Sequence, residues 1–335
     1  MSHALSTVYD LHHRPQALSD RLAQGGEGEI YPLRDRPDVL LKRYHPAYLA
    51  KRGLALQAKI KAMCSLSALR QDRNLAWPLI DAFDEQHNWV GYCMYRGKGV
   101  PMFKLAHALL YQKHFPGLDR RRLVGYLCAL TRQVQVLHAQ QVMVGDYNLN
   151  NFLCDPNSDA VSFIDCDSYQ IRIAGRHYPC PVGSADMTAK EQQNQPFEQI
   201  VRTPQSEAFS LAIILFKALM LGRHPYDIVG GDDPVQNLCR GHFAYGIGNR
   251  GIPRGHWYNI WSHMPHRLKS LFIQAFTEGA DQPTRRPTPA EWHEALTLYR
   301  RELDKGWHAS EIKPAEPKAK AYRGSRSQRS ALITP

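Results

Sequence analysis

The stretch from Val142 to Tyr169, VMVGDYNLNNFLCDPNSDAVSFIDCDSY, constrains the chain more than any other. An apolar triplet, Val142 to Val144, leads into a turn carrying Asp146 and, five positions on, Asn151. Val161, Phe163 and Ile164 then alternate with Ala160 and Ser162 as a short strand should, and that strand delivers Asp165. Two carboxylates and an amide thus gather on neighbouring turns, the groups that proton acceptance and hard-cation binding draw on. Each taken alone has a plain structural explanation, since Asp and Asn are ordinary turn formers.

With 335 residues and 43% hydrophobic content, the chain is long enough for two lobes with cores of their own. No apolar run approaches the roughly 18 residues of a membrane span, and MSHALSTVYD lacks the basic-then-apolar layout of a secretory leader. A cytoplasmic location with no membrane partner is therefore expected. The seven cysteines are scattered and never form a C-x-x-C, so reduced thiols are expected rather than disulfides or a zinc site. A net charge of +11 favours acidic partners, whether nucleotide phosphates, nucleic acid or an acidic protein surface. Charge does not choose among them, and nucleic acid is not specifically indicated.

Residues 1–20 read as an N-terminal extension holding one short strand, Thr7 to Tyr9. From Leu22, LAQGGEGEIYPL predicts strand, glycine turn and strand, and Val39 to Tyr44 supplies a third. Leu54, Ala58, Met63 and Leu66 recur near helical spacing, predicting one helix within Pro46 to Leu69. Two further strands follow, Trp77 to Ile80 and Asn88 to Tyr95, and Arg96 to Pro101 breaks the pattern as a linker would. Beyond it the chain turns helical. Leu123, Leu127, Leu130, Val134 and Leu137 mark a helix ending near His138, and Ser206 to Gly222 is apolar nearly all round, which places it at the centre of a lobe. Residues 227–260 are expected to be irregular, with helices over His266 to Thr277 and Pro289 to Leu303. The resulting units are 1–20, 21–95, 96–305 and a basic tail, 306–335, expected to be disordered.

Several short motifs carry chemistry. A turn with Gly25, Gly26 and Gly28 lets backbone N–H groups approach phosphates, although such a hairpin is more often purely structural. Lys42 lies in the apolar strand VLLK, where an ammonium either meets an anion or snorkels to solvent. These features, in order with L-H, D-x-x-x-x-N, strand plus Asp, A-K-E, the apolar helix with G-x-H-P, and R-P-T, resemble protein kinases over roughly residues 22–303. More narrowly, VGDYNLNNFLCD and VSFIDCDSYQI resemble an atypical bacterial group of serine/threonine kinases with G-D-x-N-x-x-N and I-D-x-D-S motifs.

That resemblance implies an α+β, two-lobed protein-kinase-like fold: a small antiparallel sheet with one helix, and a larger, mostly helical lobe. ATP with Mg²⁺ or Mn²⁺ would bind between the lobes. Asp146 would accept the hydroxyl proton, Asn151 and Asp165 would hold the metal, and Lys42 would neutralise phosphates. Gly25, Gly26, Gly28 and Met94 would complete the nucleotide site. Glu207 would hold the catalytic loop, and Glu191 would pair with a buried Arg286. The implied partners are a protein substrate and, by the company such kinases keep, a PP2C-type phosphatase and a von Willebrand A-domain protein.

The chain also departs from the pattern. Ala23 and Glu27 replace a glycine and an aromatic of the glycine loop; Val144 and Gly145 replace the His and Arg before the catalytic aspartate; Asn148 stands for a lysine. Without that arginine, activation by loop phosphorylation is not expected. No acid occurs from Arg43 to Gln71 to partner Lys42, so either the metal-site aspartate or nucleotide meets it, or activity is weak or regulated. Asp167, in place of the usual glycine, could be a ligand, a helix cap or a bystander. A pseudokinase nucleotide-binding scaffold in a complex with the two named partners is the principal rival. A small-molecule kinase and a nucleic-acid binder stand behind it.

Overall fold

Strand β5 (Val39–Tyr44) shows how the sequence divides its sheet. Side chains alternate across a strand, so Leu40, Lys42 and Tyr44 share one face while Val39 and Leu41 share the other. Val39 and Leu41 enter a small core with Val8, Leu18, Leu33, Ala82, Val90 and Cys93. Leu40 and Tyr44 join the main core with Ile60 and Met63 of helix α1 (Pro46–Cys64). The computed structural model describes residues 7–246, 251–253 and 255–318.

Seven strands form one antiparallel sheet in the order β2-β1-β6-β7-β5-β4-β3. They are β1 (Thr7–Tyr9), β2 (Pro15–Ala17), β3 (Ala23–Gln24), β4 (Gly28–Pro32), β5, β6 (Pro78–Phe83) and β7 (Trp89–Tyr95). Residues 7–17, expected as an extension, therefore supply two of the strands. A bridge between Leu18 and Leu33, with Ser19 N–H donating to Pro32 O at 2.9 Å, curls the sheet back on itself around the small core. β1 is the short strand expected at Thr7 to Tyr9, whereas β2, three residues opening on a proline, is too short to leave a periodic signal. The expected single helix is α1 followed by a separate turn of helix, α2 (Ser67–Gln71).

The linker is not free: β8 (Val100–Pro101) pairs with β10 (Phe152–Cys154), which pairs in turn with β11 (Val161–Phe163). β9 (Val142–Met143), β12 (Gln170–Ile173) and β13 (Arg176–Tyr178) make a third small sheet. The two lobes are also stitched together, with Phe163 N–H donating to Asn74 O at 2.7 Å and Ala76 N–H to Phe163 O at 2.8 Å.

The larger lobe is helical: α3 (Met102–Leu105), α4 (Tyr111–His114), α5 (Arg120–Ala139), α6 (Pro204–Leu219), α7 (Pro234–Arg240), α8 (His256–His263), α9 (His266–Phe276), α10 (Glu278–Asp281) and α11 (Pro289–Asp304). Helices α7 and α8 correct the expectation of irregular structure over residues 227–260. Pro204 at the first turn and a reciprocal Thr203/Ser206 cap start α6, whose Phe216 meets Tyr245, Trp261, Phe272 and Phe276. The whole is an α+β, two-lobed, kinase-like fold. No helix among the described residues is long and apolar enough to cross a membrane. All seven cysteines are free thiols.

The tail is partly built in, which corrects its expected disorder. Buried Arg120 donates to Ile312 O at 2.8 Å, and Asn259 donates to Ala315 O at 2.7 Å, so residues up to 318 are held by carbonyl contacts that composition does not signal. Residues 319–335 lie outside the described residues.

After α6, His224 is 5% exposed; its Nε2–H donates to Asp186 O at 2.7 Å while Nδ1 accepts from Tyr226 N–H at 3.2 Å. Both nitrogens are satisfied only in the neutral ring, and burial pushes the pKa down to about 4. Between that value and the ordinary one, the unfolded chain binds the proton and the folded chain does not. Stability should thus fall as pH drops from about 6.5 towards 4, by about 3 kcal/mol from this group. Urea unfolding at both ends of the window should show a smaller loss in His224→Gln than in wild type.

Candidate active site

The loop after β9 is held from below by Glu207 on the first turn of α6. Its buried carboxylate accepts from Val144 N–H at 3.0 Å, Gly145 N–H at 2.6 Å and Tyr147 OH at 3.2 Å, with His138 Nε2 at 2.9 Å. Glu207→Ala would leave these donors buried and unpaired. It is expected to cost about 3 kcal/mol, read from the shift in denaturant midpoint.

Asp146 emerges from this platform half-buried. Asn151 donates through Nδ2 to both the backbone oxygen and Oδ2 of Asp146, each at 3.2 Å. The Asn151 amide oxygen is thereby left over for another partner. Burial pushes the Asp146 carboxyl above its ordinary value; the Asn151 bond and the charge of Arg202 pull against this without cancelling it. Asn148 closes the turn by accepting from Asn150 N–H at 2.9 Å, an Asx turn in place of the usual lysine.

Asn151 and Asp165 come together because β10 and β11 are neighbours. Phe152 pairs with Phe163, and Ile164 N–H donates to Asn151 O at 2.9 Å. Asp165 itself adopts a left-handed conformation, φ 55° and ψ 35°, which turns the chain sharply after the strand. Its carboxylate stays half exposed. A carboxylate and a free amide oxygen at one mouth suit a Mg²⁺ whose other ligands are phosphate oxygens and water.

Lys42 reaches the same place from the sheet. Its ammonium lies 2.7 Å from Asp167 Oδ2, 3.2 Å from Glu27 Oε2 and 3.9 Å from Asp165 Oδ1. The Tyr44 hydroxyl, on the same strand face, donates to Asp167 at 2.6 Å. Burial works against both charges, but the Asp167, Asp165 and Glu27 carboxylates outweigh it and raise Lys42, while Lys42 and Tyr44 hold Asp167 below the ordinary carboxylate range. The question left by the acid-free α1 is answered: Asp167 is the partner of Lys42 and is buried with it.

Of the turn glycines, Gly28 is required by packing, since a Cβ there would meet Arg43 O at 2.2 Å. Gly25 and Gly26 have nothing within 4 Å of that position, so local packing does not explain them. The turn tip is tied down through Glu27, which accepts from Tyr48 OH at 2.8 Å. Met94 sits opposite Leu40 across β5 and β7 and is buried in the main core.

No protein-family model matches the chain. The chain is similar to two curated proteins called Protein kinase YegI. In Escherichia coli O157:H7 the identity is 29% over 294 residues, 85% of this chain and 45% of the relative. In Escherichia coli strain K12 it is 28% over 298 residues, 86% of this chain and again 45% of the relative. The chain thus spans about half the length of the curated relatives it matches.

One contributor, Arg202, escaped the sequence reading, and it lies beside Gly145. Gly145 has φ +75°, and a Cβ there would meet Cys180 Sγ at 2.5 Å, so no arginine fits where kinases carry one. Arg202, before α6, instead donates to Cys180 O and Val182 O, both at 2.8 Å, and is itself gripped by Gln170. This ties Gln170 and residues 180–182 to the start of α6. Farther off, Arg286 makes two 2.7 Å bonds to Glu191, the pairing expected from A-K-E and R-P-T.

Proposed function

We propose that this chain transfers the γ-phosphoryl group of ATP to a Ser or Thr hydroxyl of a protein. The observation that carries the reading is the convergence of Asp146, Asn151, Asp165 and Lys42, from four separate elements, on one mouth between the lobes. Similarity to proteins called kinases supports it.

Asp146 accepts the proton of the attacking hydroxyl and orients it; the Asn151 bond fixes its carboxylate. Lys42, anchored by Asp167 rather than by a helix glutamate, offers its remaining charge to the α- and β-phosphates, displacing Glu27. Gly25 and Gly26 leave room for the phosphates beneath the turn, and Met94 contributes to the apolar wall behind the base. Asn151 and Asp165 would hold Mg²⁺ or Mn²⁺, which supplies neutralisation of charge developing on the transferred group. Arg202 holds the following segment through neutral carbonyls, which supports a centre that needs no loop phosphate. A cytoplasmic site of action is part of the reading; PP2C-type phosphatase and von Willebrand A partners rest on motif resemblance alone.

The Lys42–Glu27 contact favours one second reading, a pseudokinase nucleotide-binding scaffold in which Glu27 keeps part of the Lys42 charge from the phosphates and no transfer follows. Incubation with γ-labelled ATP and Mg²⁺ or Mn²⁺, followed by mapping of labelled residues, separates the two. Label on Ser or Thr, in the chain itself or an added protein, is expected; metal-dependent nucleotide binding without label would favour the scaffold.

A further inference from the structure

A cavity of about 380 Å³ opens between α1, the glycine turn and the β12–β13 hairpin. Its wall is largely apolar, with Leu56, Tyr178 and Pro179 among the lining residues, yet it also holds Arg52, Lys59 and Arg176. Lys59 is 6% exposed, and its ammonium donates one hydrogen bond, to Pro179 O at 3.1 Å. Among the described residues no carboxylate lies within salt-bridge distance of Arg52, Lys59 or Arg176. Of the acids on the wall, Glu27 and Asp167 are already bonded to Lys42, and Glu198 is exposed. His177 Nε2, also on the wall, is buried with no hydrogen-bond partner.

A buried ammonium with no carboxylate in contact is costly, and burial outweighs the pull of the more distant Asp167 and Glu27 carboxylates and brings Lys59 down to about 8. We propose that this cavity binds a small organic anion, its apolar body seated on Leu56, Tyr178 and Pro179 and its phosphate or carboxylate held by Lys59 with Arg52 and Arg176. His177 supplies a further polar contact. Such a ligand would bridge α1 to the segment following Asp167 and would therefore be felt at Lys42. Its binding is tested without phosphoryl transfer.

Titration calorimetry on the full chain should show saturable binding of n-hexyl phosphate and of hexanoate. Inorganic phosphate, which lacks the body, and hexanol, which lacks the charge, should bind at least about tenfold more weakly. Hydrogen exchange should slow over residues 48–59 and 176–181. Lys59→Met removes the charge and Leu56→Trp fills the cavity; each, with its melting temperature retained, should weaken binding about tenfold or more. Protection confined to residues 22–33 and 142–169 would locate the anion in the nucleotide cleft and overturn the proposal. Undiminished affinity in both folded variants, or no binding at millimolar concentration, would do the same.

Discussion

Lys42→Met is expected to cost the fold about 4 kcal/mol, well beyond the effect of a typical lysine substitution. Both members of the Lys42–Asp167 pair are buried, at 7% and 4% exposure, so removing the ammonium leaves a carboxylate in the interior with only Tyr44 bonded to it. The loss should be partly recovered in Lys42→Met/Asp167→Asn, because the amide removes the stranded charge while still accepting from Tyr44. A double variant that loses as much stability as Lys42→Met and Asp167→Asn lose separately, added together, would show that the two side chains are not coupled. The pH dependence has a defined sign. Asp167, held below its ordinary value, contributes stability present above about pH 4 and lost on acidification; Lys42, raised, contributes stability present below about pH 10 and lost in stronger alkali.

Asp165→Asn should reduce phosphoryl transfer about a thousandfold or more while leaving the melting temperature nearly unchanged. Asparagine is the informative replacement, since residue 165 is left-handed and Asn tolerates that conformation, whereas Ala adds about 1 kcal/mol of backbone strain. The carboxylate is half exposed, so its loss strands no buried partner. Transfer undiminished in the Asn variant would remove Asp165 from the metal-holding role proposed for it.

The sequence made Asp146, Asn151 and Asp165 legible because each sits at the end of a strand or turn whose signal is local. Lys42 was legible for the same reason, standing in an apolar strand. Its partner was not: 125 residues separate Lys42 from Asp167, and only the packing of the sheet against the helical lobe joins them. The missing helix acid was visible as an absence, but what replaced it was a tertiary fact. Arg202 escaped for a related reason, since its partners are backbone carbonyls, which no side-chain motif marks. Gly145 could have pointed to it, because a glycine where an arginine is usual implies close approach by something else. At the chain's ends, strand β2 and the docked residues 306–318 are held by pairing and carbonyl contacts too short or too irregular to leave a period.

In the proposed transfer, Asp146 acts on the hydroxyl rather than on the nucleotide. Single-turnover transfer from γ-labelled ATP should be compared between wild type and Asp146→Asn, with Mg·ATP affinity measured alongside. Transfer should fall by about a hundredfold to ten-thousandfold at nearly unchanged affinity and stability. Wild-type transfer in Asp146→Asn would contradict it.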